Sequence, residues 1–144
     1  MISPVEIELL AKVLFAALLG LLVGVERKGG PRGAGPRTFS LICMGSALFT
    51  VLSVVGFPGD SQTARVAAQI VTGVGFIGAG VIWREQQDVI HGITTAAAIW
   101  VSAAIGLAIG LGYIISSFVI AFVTMVVLSR GHPIREARKH ITPE

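Results

Sequence analysis

Charge is what this sequence has least of. Only 13% of its 144 residues are Asp, Glu, Lys or Arg, about half of the roughly 25% found in ordinary soluble domains. A soluble domain this small must cover much of its surface with polar groups, yet 53% of these residues are hydrophobic. Cysteine is almost missing as well. Cys43 stands alone, which excludes an intrachain disulfide framework and a cysteine-based metal site. Within an apolar stretch it reads as a small core residue. The sequence has no Ser/His/Asp set, no P-loop and no His/Cys cluster. It therefore predicts no catalytic residue, no metal site and no cofactor.

The few charges are bunched, and what lies between them is informative. Thr38–Gly59, Val66–Trp83 and Val89–Ser129 carry no charged side chain over 22, 18 and 41 residues. A helix needs about 20 apolar residues to cross a hydrocarbon core roughly 30 Å thick. The longest run is twice that and divides into two spans at Gly110-Leu111-Gly112. A further span covers Val5–Val25. Its uncharged part, Val13–Val25, is preceded by Glu6 and Glu8 and followed by Glu26-Arg27-Lys28, the wrong flanks for a cleaved signal peptide. Lys12 lies near its outer end, where a long stem lets the ammonium reach the interface. The expected fold is an all-α integral membrane protein of five transmembrane helices, at about 5–25, 38–57, 66–83, 93–109 and 112–130. These make a domain over 1–130, with a short basic tail at 131–144.

Basic residues orient this arrangement. Nine of the eleven Lys and Arg, four in the first loop, Arg84, and four in the tail, fall on one side, leaving Lys12 and Arg65 on the other. The positive-inside rule makes the nine cytoplasmic. The N-terminus is then outside, the C-terminus is cytoplasmic, and the net charge of +3 reflects topology. Nucleic acid is excluded as a partner because no soluble basic face remains.

Residues 73–80, GVGFIGAG, match G-x-G-x-x-G through Gly73, Gly75 and Gly78, with Gly80 beyond. A dinucleotide loop needs a preceding strand and a solvent-facing turn, and this stretch is mid-span, so no nucleotide is expected. On a helical wheel Ala68, Thr72, Gly75 and Ala79 form a narrow small-residue face, and Gly73 and Gly80 continue a neighbouring stripe. Thr95, Ala98, Ser102 and Gly106 form a matching face on the fourth helix. In lipid such faces allow close helix packing. Glycines in this number also allow a kinked or broken helix beside a polar cavity.

Polar residues at the helix ends are the remaining candidates. Glu26, Arg37, Thr38, Arg84, Thr94 and Thr95 all reach the cytoplasmic interface in this topology. They are expected to form one polar cluster, with Arg37 and Arg84 as partners for the Glu26 carboxylate. Arg65 and Gln69 share a face at the opposite end of the third helix.

GVERK at 24–28, AGPRT at 34–38, RVAAQIVTGVGFIGAGVI at 65–82 and HGITTAAAIWVSAAIGLAIG at 91–110 resemble the membrane domain of the MgtC/SapB family. The similarity covers roughly residues 10–112. It implies a multi-pass bacterial inner-membrane protein linked in some members to growth at low magnesium and to survival inside macrophages. The short tail suits a SapB-type form or a piece of a longer protein. Carried over by motif, the residues to watch are Glu26, Arg37, Thr38, Arg65, Gln69, Gly73, Gly75, Gly78, Gly80, Thr94 and Thr95. The chain departs from the family pattern at Pro36, where Leu is common, and at Thr63-Ala64, where an Asp-Pro pair usually precedes the Arg. The expected function is a non-enzymatic factor in magnesium homeostasis, stress adaptation or virulence. It would act through the bilayer and through contacts with a second copy, a dimer being favoured, or with another membrane protein. The alternative is a small oligomeric transporter or channel for a cation or other small solute.

Overall fold

The computed structural model describes residues 3–27, 34–57, 60–84 and 89–129; the tail expected at 131–144 lies outside them. Five helices and one small ribbon make up the described chain. They are α1 (Pro4–Val25), α2 (Pro36–Gly56), α3 (Asp60–Gly80), β1 (Trp83–Arg84), β2 (Ile90–His91), α4 (Ile93–Gly110) and α5 (Ile114–Ser129).

Local chemistry sets the boundaries. Ser3 caps α1 through its hydroxyl, which accepts from the Glu6 N–H at 3.2 Å, while the Glu6 carboxylate accepts from the Ser3 N–H at 2.6 Å. This reciprocal pair satisfies two donors that a helix start leaves open, and Pro4 has none to satisfy in the next position. Pro36 opens α2 in the same way, two residues earlier than the charge pattern predicts. α3 starts six residues before the apolar run, because polar residues can extend a helix whose length hydropathy alone underestimates. Between α4 and α5 the chain turns at Leu111-Gly112. Tyr113 N–H donates to Ala108 O and Gly112 N–H to Ile109 O, the paired closure that needs a left-handed residue. Gly112 supplies it, with φ 92°.

α3 also ends three residues early. Val81-Ile82-Trp83 and Val89-Ile90-His91 are β-branched and aromatic runs that favour a pleated ribbon. Trp83 pairs with His91 and Arg84 with Ile90, antiparallel, and the Trp83 and His91 rings stack 4.4 Å apart. Gly92 closes the ribbon onto α4 with φ 89°, and a side chain there would strike the Val81 carbonyl.

Three helices, α1, α2 and α4, are long and apolar enough to cross a membrane; Ala64–Gly80 and α5 are shorter apolar helices. The three long ones form the packed centre. Gly20 and Gly24 of α1 admit α2 so closely that an added Cβ would lie 2.6 Å from the Phe39 carbonyl oxygen or the Pro36 Cα. Ser40 of α2 donates to the Ala17 carbonyl of α1 at 2.8 Å. On the other flank Gly106 of α4 abuts the Cys43 carbonyl, and Gly110 abuts Thr50. Phe39, Cys43, Ile99 and Ile109 are fully buried between these helices. Lys12 ties the far end together: it pairs with Glu8 at 2.7 Å and donates to the Gly110 carbonyl at 3.4 Å, where a cation meets the negative end of α4.

The periphery is looser. α5 buries only Ser117, Ala121 and Leu128, while Ile115 is 82% and Phe76 of α3 83% exposed. Large apolar side chains turned outward in this number suit a hydrocarbon solvent.

Candidate functional site

One end of the bundle gathers the C-terminal end of α1, the start of α2 and the start of α4. The contact of Gly24 with Pro36 sets α1 beside α2 there. The contact with α4 is made by Arg27, whose Nη2 donates to Thr95 Oγ1 at 3.2 Å. This bond spans 68 residues of sequence and ties the last turn of α1 to the first turn of α4. Thr95 is thus a receiver for an arginine, beyond any role at the helix start.

The expected cluster is only partly assembled. Glu26 sits half-buried just past the end of α1, and among the described residues no ion pair joins it to Arg37 or Arg84. The inward contact belongs to the next residue, Arg27. Arg37 is exposed on the first turn of α2, Thr38 is half-buried beside it, and Thr94 is exposed. Arg84 lies exposed in the ribbon. In the sequence Arg27 stands out only as an orienting charge and as part of GVERK at 24–28. Its position next to Glu26 was the available signal, and no periodicity could pair it with Thr95.

The third-helix motif divides. Gly78 packs on Ala96 of α4, where an added Cβ would sit at an ordinary 3.6 Å. Around Gly73, Gly75 and Gly80 such an atom meets nothing within 4 Å, so none of these three serves packing inside the chain. Ala68, Thr72, Gly75 and Ala79 all face outward. The matching face of α4 is buried at Ala98, Ser102 and Gly106, and Gly106 meets α2 instead of α3.

Between α2 and α3 lies a cleft of about 600 Å³, with an almost wholly apolar lining. Leu41, Gly45 and Phe49 form one wall and Gln69, Gly73 and Ile77 the other, with Thr38 at one end. Gln69 and Arg65 are exposed, and Arg65 stands one turn from Gln69 along α3. Among the described residues no three of His, Cys, Asp and Glu gather into a metal-holding group. The buried polar side chains are Ser46, Thr50, Ser53, Ser102 and Ser117, all hydroxyls. Thr50 and Ser117 bond back to carbonyls one turn earlier, at 2.7 Å each.

No solved structure matches the chain. Among sequences of known proteins, the "Putative magnesium transporter YhiD" of Escherichia coli K12 is 43% identical over 132 residues, covering 87% of this chain and 61% of that protein. Protein MgtC of Salmonella typhimurium LT2 is 44% identical over 129 residues, covering 90% and 53%. An uncharacterized protein of Haemophilus influenzae is 35% identical over 146 residues, covering 96% and 61%. The chain thus spans about half to three-fifths of the length of these relatives. A family model described as the MgtC family matches residues 13–137, which takes in all five helices but for the start of α1. With its apolar helices and these matches, the chain is a membrane protein and belongs to the MgtC family.

Proposed function

We propose that this chain is a non-enzymatic membrane factor in magnesium physiology, acting through contacts with other membrane proteins or a second copy. The magnesium link comes from the name of the relative "Putative magnesium transporter YhiD". The observation that carries the mode of action is the character of the interior. Every buried polar side chain among the described residues is a hydroxyl, whereas cation routes through membranes are usually marked by buried carboxylates. The outward small-residue face of α3, at Ala68, Thr72, Gly75 and Ala79, suits a helix of a second copy.

In this reading all five helices lie in a bacterial plasma membrane, the two shorter ones by local thinning. The N-terminus is outside, and the Arg27–Thr95 end is cytoplasmic. Arg27 and Arg37 share that end, while Lys12 lies level with the far end of α4. On a Cys43→Ala background, a cysteine at Ser61 should be labelled from outside and one at Gly33 only from inside. Labelling at Gly33 from outside contradicts the orientation.

Growth of a strain lacking its own copy, at low magnesium, tests the function. Glu26→Gln should abolish rescue at ordinary expression, since the carboxylate stands half-buried at the cytoplasmic end of this reading, next to the Arg27–Thr95 bond. Gln69→Leu should rescue fully, since the cleft is not a path for ions. The reverse pattern would favour transport.

A further inference from the structure

The α2/α3 cleft is unusual in having two glycines, Gly45 and Gly73, on facing walls. An added Cβ at either would meet nothing within 4 Å. Its lining residues on α2 follow the spacing 41, 45, 49, and Arg37 continues that stripe by one more turn at the open end. Arg37 is exposed, and among the described residues no carboxylate forms an ion pair with it. Thr38, its neighbour, is part of the lining. An apolar slot therefore runs along the helices and ends at an uncompensated cation in the first turn of α2.

The dimensions select the occupant. From Arg37 to Phe49 the slot runs about 18 Å along α2 at 1.5 Å per residue, a little more than half of a hydrocarbon core about 30 Å thick. A helix 10 Å across and that long would fill about 1,400 Å³, and a cleft of about 600 Å³ would take in only part of its width. A single alkyl chain is narrow enough to lie in it. We propose that this cleft seats one acyl chain of an anionic phospholipid, whose phosphate rests against Arg37. The apolar walls take the chain, and the guanidinium takes the phosphate through paired N–H donors. The N–H of Arg37 itself and the positive end of α2, where Gly35 offers no side-chain cap, add to the attraction for a negative group. Basic pockets between membrane helices commonly hold lipid headgroups in this way. The proposal rests on the membrane setting of the chain and not on whether it transports or contacts a partner.

Native mass spectrometry of the purified full chain, offered equal amounts of phosphatidylglycerol and phosphatidylcholine, tests it. The wild type should retain one phosphatidylglycerol per chain, preferred about fivefold over phosphatidylcholine. Arg37→Gln should bring that preference near parity, while Arg65→Gln at the other end of the cleft should leave it unchanged. Gly73→Leu fills the slot from one wall and Gly45→Leu from the other. Each should remove the retained lipid, with a melting temperature close to wild type because neither glycine touches a neighbour. Undiminished lipid in both leucine variants would overturn the proposal, as would a preference that follows Arg65 instead of Arg37. So would a dimer mass that disappears with Gly73→Leu, which would show that a second copy fills the cleft.

Discussion

Two of the helices that meet α2 across glycines, α4 and α3, give opposite results. Toward α4 the glycines are consumed by contact: Gly106 and Gly110 lie so close to Cys43 and Thr50 that even a methyl group would collide. Toward α3, Gly45 and Gly73 face open space across a cleft of about 600 Å³. Small residues in a membrane helix are thus ambiguous on their own. They mark a place where another body comes near, and only the fold shows whether that body is a helix of the same chain.

The sharpest break of this comparison is at Gly106. Gly106→Ala places a Cβ against the Cys43 backbone carbonyl, which can move only with its helix. The variant should lose about 3 kcal/mol or more of stability, read as a collapse in melting temperature or in yield of monodisperse protein. Gly75→Leu, on the outward face of α3, should leave the single chain folded and affect only assembly between chains. If Gly75→Leu unfolds the chain while Gly106→Ala is tolerated, the assignment of the two seams is inverted.

A smaller effect is expected at Ser40, whose hydroxyl bonds to the Ala17 carbonyl across the α1/α2 seam. Hydrogen bonds between membrane helices average about 0.6 kcal/mol, so Ser40→Ala should lower the melting temperature modestly. A loss as large as that of Gly106→Ala would mean that the seam depends on polar contact more than on close packing.

Much of this architecture was legible in charge-free runs, because water and lipid sort residues by polarity along the chain. The five helices and the turn at Gly110-Leu111-Gly112 follow from that sorting. The ribbon at Trp83–Arg84 and Ile90–His91 was missed although β-branched and aromatic residues cluster there, since span length dominated the reading. The early start of α3 at Asp60 was missed for the opposite reason: polar residues can be helical without being apolar. The site was less legible than the fold. Position relative to the helix ends singled out Glu26, Arg37 and Thr95 as candidates, but pairing across 68 residues depends on which helices meet. The bond from Arg27 to Thr95 could not be read before α1 was known to lie against α4. Gly75 shows the same limit, because a wheel gives a face and not what covers it.

In the proposed function this interior, apolar but for a few buried hydroxyls among the described residues, offers no route for magnesium. Purified protein in liposomes loaded with a magnesium-sensitive dye tests that claim directly. The prediction is that magnesium entry equals that of protein-free vesicles, at any protein density and under an inward gradient. Protein-dependent, saturable entry that is lost with Gln69→Leu would contradict it and make the chain a transporter.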